Sequence, residues 1–207
     1  MAQYGFHFDG TRCTGCKTCE LACKDYHNLA NDVAFRQIYE YGDGAWEKDA
    51  AGAWSCTTQV YYLSEACNHC DSPACFAACS QGAIVKDEDT GLVYIEEEKC
   101  ANCGACAEAC PYSIPKADAE KGVYVKCDGC KDRVAEGKKP VCVEACPLRA
   151  LDFGDIEELR SEFGDVAAIA PLPDPSETKP NIVITEPKNA RPVDDAQGAV
   201  LNAGELV

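Results

Sequence analysis

Sixteen of the 17 cysteines in this 207-residue chain fall into four groups of four. The first is Cys13, Cys16, Cys19 and Cys23, within "CTGCKTCELAC". The second is Cys67, Cys70, Cys75 and Cys79, and the third is Cys100, Cys103, Cys106 and Cys110. The fourth is Cys127, Cys130, Cys142 and Cys146. Every group keeps two residues between its first two cysteines and three between its last two. Only the middle varies: two residues in groups one and three, four in group two, and the eleven residues "KDRVAEGKKPV" in group four.

Three thiolates at C-x-x-C-x-x-C wrap a loop around one metal–sulfur cube, each reaching a different iron. A fourth cysteine, three residues further on, lies about one helical turn away and points elsewhere. The run C-x₂-C-x₂-C-x₃-C-P marks [4Fe–4S] clusters held in pairs, with the fourth cysteine serving the other cluster. "CANCGACAEACP" matches it letter for letter, and group four keeps Pro147. Lys24 and Ser80 stand where groups one and two would have proline, which alters the local turn but removes no ligand. A disulfide framework gives no reason for four near-copies of one spacing. Structural zinc needs two C-x-x-C pairs separated by a loop, which group four alone could supply and the other three could not. The sixteen cysteines therefore predict four [4Fe–4S] clusters. Four groups can pair in three ways, and spacing alone leaves all three open. Cys56, in "AWSCTTQ", belongs to no group and reads as a buried or semi-buried free thiol. His7, His27 and His69 are isolated; His69, between Cys67 and Cys70, reads as a loop histidine packed near a cluster.

The elements that must position these cysteines are short. "YGFHF" before group one and "TTQVYYL" before group two read as strands. "AIVKDEDTGLVYIEE" reads as a hairpin turning at Asp89-Thr90-Gly91, and "KGVYVK" leads into group four as a further strand. Helical patches fit around "CAEAC" and "CVEAC". Residues 35–55, rich in Gly, Tyr and Trp, read as an inserted loop. "DIEELRSEFG" reads as a short helix stopped at Gly164. Six of the 11 prolines lie past residue 170, so the remainder reads as an extended, docked tail.

Composition narrows the function classes. Asp plus Glu number 35 against 19 Lys plus Arg, a net charge of −16. That balance speaks against nucleic acid, whose phosphates call for a basic excess, and against an anionic membrane surface. "MAQYGFHFDG" has no basic region followed by an apolar run, so no signal peptide is expected there. No nucleophile–base constellation, phosphate-binding glycine loop or dinucleotide fingerprint is present. An electron relay fits better than an enzyme, either as one subunit of a complex or as a soluble polyferredoxin.

The chain resembles the four-cluster iron–sulfur subunits of molybdopterin oxidoreductases, and more narrowly those of anaerobic dimethyl sulfoxide reductases. The resemblance rests on "YGFHFDGTRCTGCKTCELACKDY", "YYLSEACNHCDSPAC", "KCDGCKDRVAEGKKPVCVEACPLRALDFG" and "APLPDPSETKPNIVI". Ser80 departs from the Cys-Pro usual in these relatives. The resemblance implies an α+β fold of two ferredoxin-like lobes, each carrying two [4Fe–4S] clusters, with inserted loops and an extended C-terminal tail. Residues 1–56 and 121–155 would build the outer lobe, 57–120 the inner lobe, and 156–207 a short helix and docking tail. It favours pairing group one with four and two with three. Cluster 1 is then held by Cys13, Cys16, Cys19 and Cys146, and cluster 2 by Cys23, Cys127, Cys130 and Cys142. Cluster 3 takes Cys67, Cys70, Cys75 and Cys110, and cluster 4 takes Cys79, Cys100, Cys103 and Cys106. The implied partners are a molybdopterin-containing catalytic subunit that reduces S- and N-oxides in anaerobic respiration and an integral membrane subunit that oxidises quinol. The implied location is peripheral, on the outer, periplasmic face of a bacterial cytoplasmic membrane, reached by co-export on the catalytic subunit's twin-arginine signal. The same relay role in a sister reductase for tetrathionate, polysulfide or selenate would leave this chain looking much alike.

Overall fold

The computed structural model describes residues 2–207. Its backbone is a mixed α/β arrangement of short elements threaded between cysteine loops. Strand β1 (Tyr4–Asp9) is the middle strand of a three-stranded sheet. It pairs antiparallel with β10 (Leu151–Asp155) and parallel with β11 (Ile182–Thr185). Being central, "YGFHFD" is buried on both faces, which is why an almost continuously apolar run suits it. Phe6 and Phe8 point into the main core, while His7 stacks on Phe163, with ring centroids 3.7 Å apart. Phe163 belongs to helix α6 (Ile156–Phe163), whose buried Ile156 and Leu159 sit one turn apart over Val183 of β11. Asp155 caps that helix by accepting from the amides of Glu157 and Glu158, at 3.0 and 3.4 Å. Gly164 ends it with φ 93°, as its sequence position suggests.

A second sheet has the order β12–β2–β5, from β12 (Ala199–Val200), β2 (Gln37–Asp43) and β5 (Gln59–Glu65). This corrects the reading of residues 35–55 as an inserted loop. β2 pairs with β5 from Gln37↔Glu65 to Asp43↔Gln59, and Ile38 and Tyr41 enter the core. Tyr39, Tyr41 and Gly42, part of the composition that suggested a loop, belong to this strand, and Tyr41 and Gly42 are buried in it. Only the hairpin of β3 (Trp46–Lys48) and β4 (Trp54–Cys56) stands clear of the body, with Trp46 and Trp54 exposed.

Two further hairpins are minimal: β6 (Ile84–Lys86) with β7 (Val93–Ile95), and β8 (Lys116–Asp118) with β9 (Val123–Val125). The first turns where expected, with Asp87 Oδ1 accepting from the amide and hydroxyl of Thr90 at 2.8 and 2.7 Å. The tail also does more than dock. It supplies β11 and β12, and Tyr61 Oη donates to the Ala170 carbonyl at 2.7 Å. Asn202 acts as one more rung: its amide donates to the Ile38 carbonyl at 2.8 Å and its oxygen accepts from the Glu40 amide at 2.9 Å.

Candidate metal centres

All four cysteine groups fold the same local way. The residue before each second cysteine is left-handed: Gly15 (φ 68°), His69 (42°), Asn102 (53°) and Gly129 (74°). At Gly15 a side chain would also run into the ring of Tyr62, so glycine is required there twice over. This kink turns amides back on the first sulfur. His69 N–H donates to Cys67 Sγ and Gly129 N–H to Cys127 Sγ, each at 3.4 Å. Each third cysteine is then the second residue of a helix. Cys19 opens α1 (Thr18–Tyr26), Cys75 α2 (Ala74–Ala78), Cys106 α3 (Ala105–Ala109) and Cys142 α5 (Val141–Ala145). The insert of group four supplies the remaining helix, α4 (Lys131–Ala135).

Cys79, Cys110 and Cys146 follow directly on the ends of α2, α3 and α5. Three residues later Gly82, Ser113 and Arg149 again have positive φ, and the next amide returns to the sulfur in two of the three. Ala83 N–H donates to Cys79 Sγ and Ala150 N–H to Cys146 Sγ, each at 3.3 Å. Ser80 preserves this geometry without proline. Lys24 does not: α1 runs on to Tyr26, and Lys24 Nζ instead donates to the carbonyls of Ala30, Asn31 and Val33, at 3.0, 3.1 and 2.6 Å.

The groups come together in space as well. α1 packs on α5 and α2 on α3. One cavity is lined by Cys13, Cys16, Cys19 and Cys146, with Phe8 and Leu148 beside them. A second is lined by Cys67, Cys70, Cys75 and Cys110, and a third by Cys79, Cys100, Cys103 and Cys106. The three sites are alike in lining, each closed by four sulfurs and apolar side chains. Cys23, Cys127, Cys130 and Cys142 are all buried, and their sulfurs lie near enough to act electrostatically on one another. None of the 17 cysteines is joined to another by a disulfide. Cys56, expected to be at least half-buried, is instead exposed on β4, whose three residues all face solvent outside the apolar core.

The donor set fits a cluster in its chemistry. Burial pushes the Cys13 thiol up to about 11, and the Cys70, Cys75 and Cys130 thiols up to about 12. Neighbouring sulfurs contribute to the same rise, so these sites become thiolate only when a cation arrives. Burial also acts upward on Cys79, but the amides of Ala83, Ile84, Gln81 and Gly82 outweigh it and leave this thiol lower. Charged groups accompany the sulfurs. Arg36 and Lys126 are the two buried Arg or Lys side chains among the described residues. Glu65 is buried, and desolvation raises its pKa to about 8 although Asn68 Nδ2 donates to Oε1 at 2.7 Å.

The three histidines differ in ways spacing did not reveal. His69 is fully buried, accepts from the Val93 amide through Nδ1 at 2.9 Å, and has a partnerless Nε2. Desolvation holds its pKa well below the usual value, so it is a neutral core imidazole in the second cysteine loop. His27 lies 3.5 Å from Cys130 Sγ although the two are 103 residues apart. His7 bonds Thr185 Oγ1 at 2.9 Å and serves the sheet.

Loops of this form, each presenting thiols to a shared cavity, define a protein that carries [4Fe–4S] clusters. Residues 58–156 match the family model described as a 4Fe-4S dicluster domain, and residues 11–28 match one described as a 4Fe-4S binding domain. The B subunit of anaerobic dimethyl sulfoxide reductase from Escherichia coli (strain K12) is 56% identical over 204 residues, covering 99% of this protein and 98% of the relative. The corresponding B subunit of Haemophilus influenzae is 53% identical over 206 residues, covering all of both proteins. The B subunit of polysulfide reductase from Wolinella succinogenes is 33% identical over 190 residues, covering 90% and 95%. The protein belongs to the family of anaerobic dimethyl sulfoxide reductase B subunits. Among the described residues no helix is long and apolar enough to cross a membrane.

Proposed function

We propose that this protein relays electrons, through four [4Fe–4S] clusters, to a molybdenum catalytic subunit that reduces dimethyl sulfoxide and related S- and N-oxides. The observation that carries this is the three-plus-one membership of the three cysteine cavities. In each, three sulfurs come from one group and the last from another, as paired clusters require. Cluster 1 is then ligated by Cys13, Cys16, Cys19 and Cys146, and cluster 2 by Cys23, Cys127, Cys130 and Cys142. Cluster 3 is ligated by Cys67, Cys70, Cys75 and Cys110, and cluster 4 by Cys79, Cys100, Cys103 and Cys106. Packing of α1 on α5 and of α2 on α3 supports two lobes, an outer one from residues 1–56 and 121–155 and an inner one from 57–120. The stretch 156–207 completes the outer lobe's sheet through β11.

When bound, a [4Fe–4S] cluster supplies a one-electron couple whose potential follows net charge, hydrogen bonds to sulfur and exposure. The protein's own residues provide all three. Backbone amides donate to Cys67, Cys79, Cys127 and Cys146 sulfurs, and apolar side chains such as Phe8, Leu92 and Val93 keep water out. Cys67 and Cys127 share one apolar cluster, as do Cys75 and Cys106, which supports neighbouring places for sets 2 and 3 and for sets 3 and 4. Cys16 and Cys103, in the two end sets, are the exposed ligands, which suits entry and exit at opposite ends. The electron donor in this reading is a quinol-oxidising membrane subunit. The complex sits on a bacterial cytoplasmic membrane, on its periplasmic face, with this subunit co-exported on its partner.

Four clusters require about 16 iron and about 16 acid-labile sulfide per molecule. The anaerobically purified protein should take up electrons from dithionite yet reduce no sulfoxide until the molybdenum subunit is added. Stoichiometric zinc in place of sulfide, or sulfoxide turnover by the protein alone, would overturn the proposal.

A further inference from the structure

We propose that Arg36 is the shared counter-charge of clusters 1 and 2 and holds their reduction potentials up. This rests on the four-cluster reading above. Arg36 is 2% exposed, and none of its nitrogens lies within 4.0 Å of a carboxylate among the described residues, although the buried Glu65 feels its charge from further off. Its guanidinium stands 4.8 Å from the centre of the Phe6 ring. Nη1 donates to the Ser64 carbonyl at 3.1 Å and to Ser64 Oγ at 3.0 Å, and Nε is buried with no partner. Ser64 Oγ is in turn 3.5 Å from Cys19 Sγ.

A buried cation without a counter-charge is strongly disfavoured. Burial does act against the charged form of Arg36, but the sulfurs of Cys142, Cys19, Cys127 and Cys23 outweigh it and strengthen its hold on the proton. Cys19 belongs to the first set and Cys23, one turn further along α1, to the second, so a guanidinium tied to Ser64 beside Cys19 stands at the junction of clusters 1 and 2. Four thiolates leave an assembled site net negative, and reduction adds one more negative charge. A fixed cation at that junction favours the reduced form on both sides, and low local polarity strengthens the effect. Lys126 stands in the same relation to the next junction. Its Nζ donates to the Cys127 carbonyl at 2.7 Å, and the sulfurs of Cys67, Cys127 and Cys75 overcome the cost of its burial. No third buried Arg or Lys accompanies cluster 4 among the described residues.

The test is a potentiometric EPR titration of the anaerobic holoprotein, with signals assigned through single ligand variants and iron and sulfide assayed throughout. Arg36→Gln should keep its iron and make reduction of clusters 1 and 2 at least tenfold less favourable, about 59 mV for a one-electron couple. Arg36→Lys should restore most of the shift, and cluster 4 should not move in either variant. If Arg36→Gln loses iron while Arg36→Lys retains it, charge is needed even for assembly and the proposal stands. Unchanged potentials, an equal fall in all four clusters, or iron loss in both variants would overturn it. A failed four-cluster reading would instead show as a wild-type iron content far below 16.

Discussion

Removal of iron and sulfide should abolish the protein's cooperative unfolding transition, not merely lower its midpoint. Apart from α1 and α6, the helices are five residues long, and the strands of the β6–β7 and β8–β9 hairpins are three. Isolated helices below roughly 12 residues are marginal in water, as is a lone two-stranded hairpin. The sulfurs are themselves core: Cys19, Cys70, Cys142 and Cys146 sit in the main hydrophobic cluster, and Cys23, Cys67 and Cys127 in the next. Calorimetry and near-ultraviolet circular dichroism of anaerobic holoprotein and chelator-treated protein check this. An apoprotein with a sharp transition and intact near-ultraviolet signal would show that the polypeptide folds without its clusters.

Cys103→Ser should remove or degrade one cluster, about a quarter of the iron on the four-cluster reading, whereas Cys56→Ser should remove none. Both thiols are exposed, so burial does not separate them. Position does. Cys103 lines a cavity with Cys79, Cys100 and Cys106, while Cys56 projects from the β3–β4 hairpin opposite Trp46. Serine's hydroxyl is a harder and far less acidic donor than a thiol, so the iron it faces is held poorly. Iron, sulfide and EPR spin counts on both variants decide the matter. Equal losses would mean that Cys56 is a ligand or that Cys103 is not.

Much of the site is legible in the sequence because the chemistry is local. Two residues between cysteines force the kink before Cys16, Cys70, Cys103 and Cys130, and two of the four kink residues are glycine. His69 and Asn102 take the same left-handed backbone without announcing it. What escapes a linear reading is long-range. Arg36 meets Cys19 only through Ser64, and His27 meets Cys130 across 103 residues. β2 is hidden because its glycine and two tyrosines resemble a loop, although "QIYEYGD" pairs along its full length with β5. β11 is hidden among prolines, although "NIVIT" is the unbroken apolar run expected of a strand covered on both faces.

The central place of β1, between β10 and β11, has a consequence for how the molecule is made. A ribosome makes Tyr4–Asp9 long before its two flanking strands, both of which lie beyond residue 150. On the proposed ligation, Cys13, Cys16 and Cys19 likewise wait for Cys146, while Cys67 to Cys110 complete the inner pair within 44 residues. Loop-closure entropy and slow non-local pairing both put the inner lobe ahead. Maturation should therefore proceed from the middle of the polypeptide outward. During that interval the earliest-made thiols are the last to be sheltered, which makes the nascent N-terminal loop the point most vulnerable to oxygen.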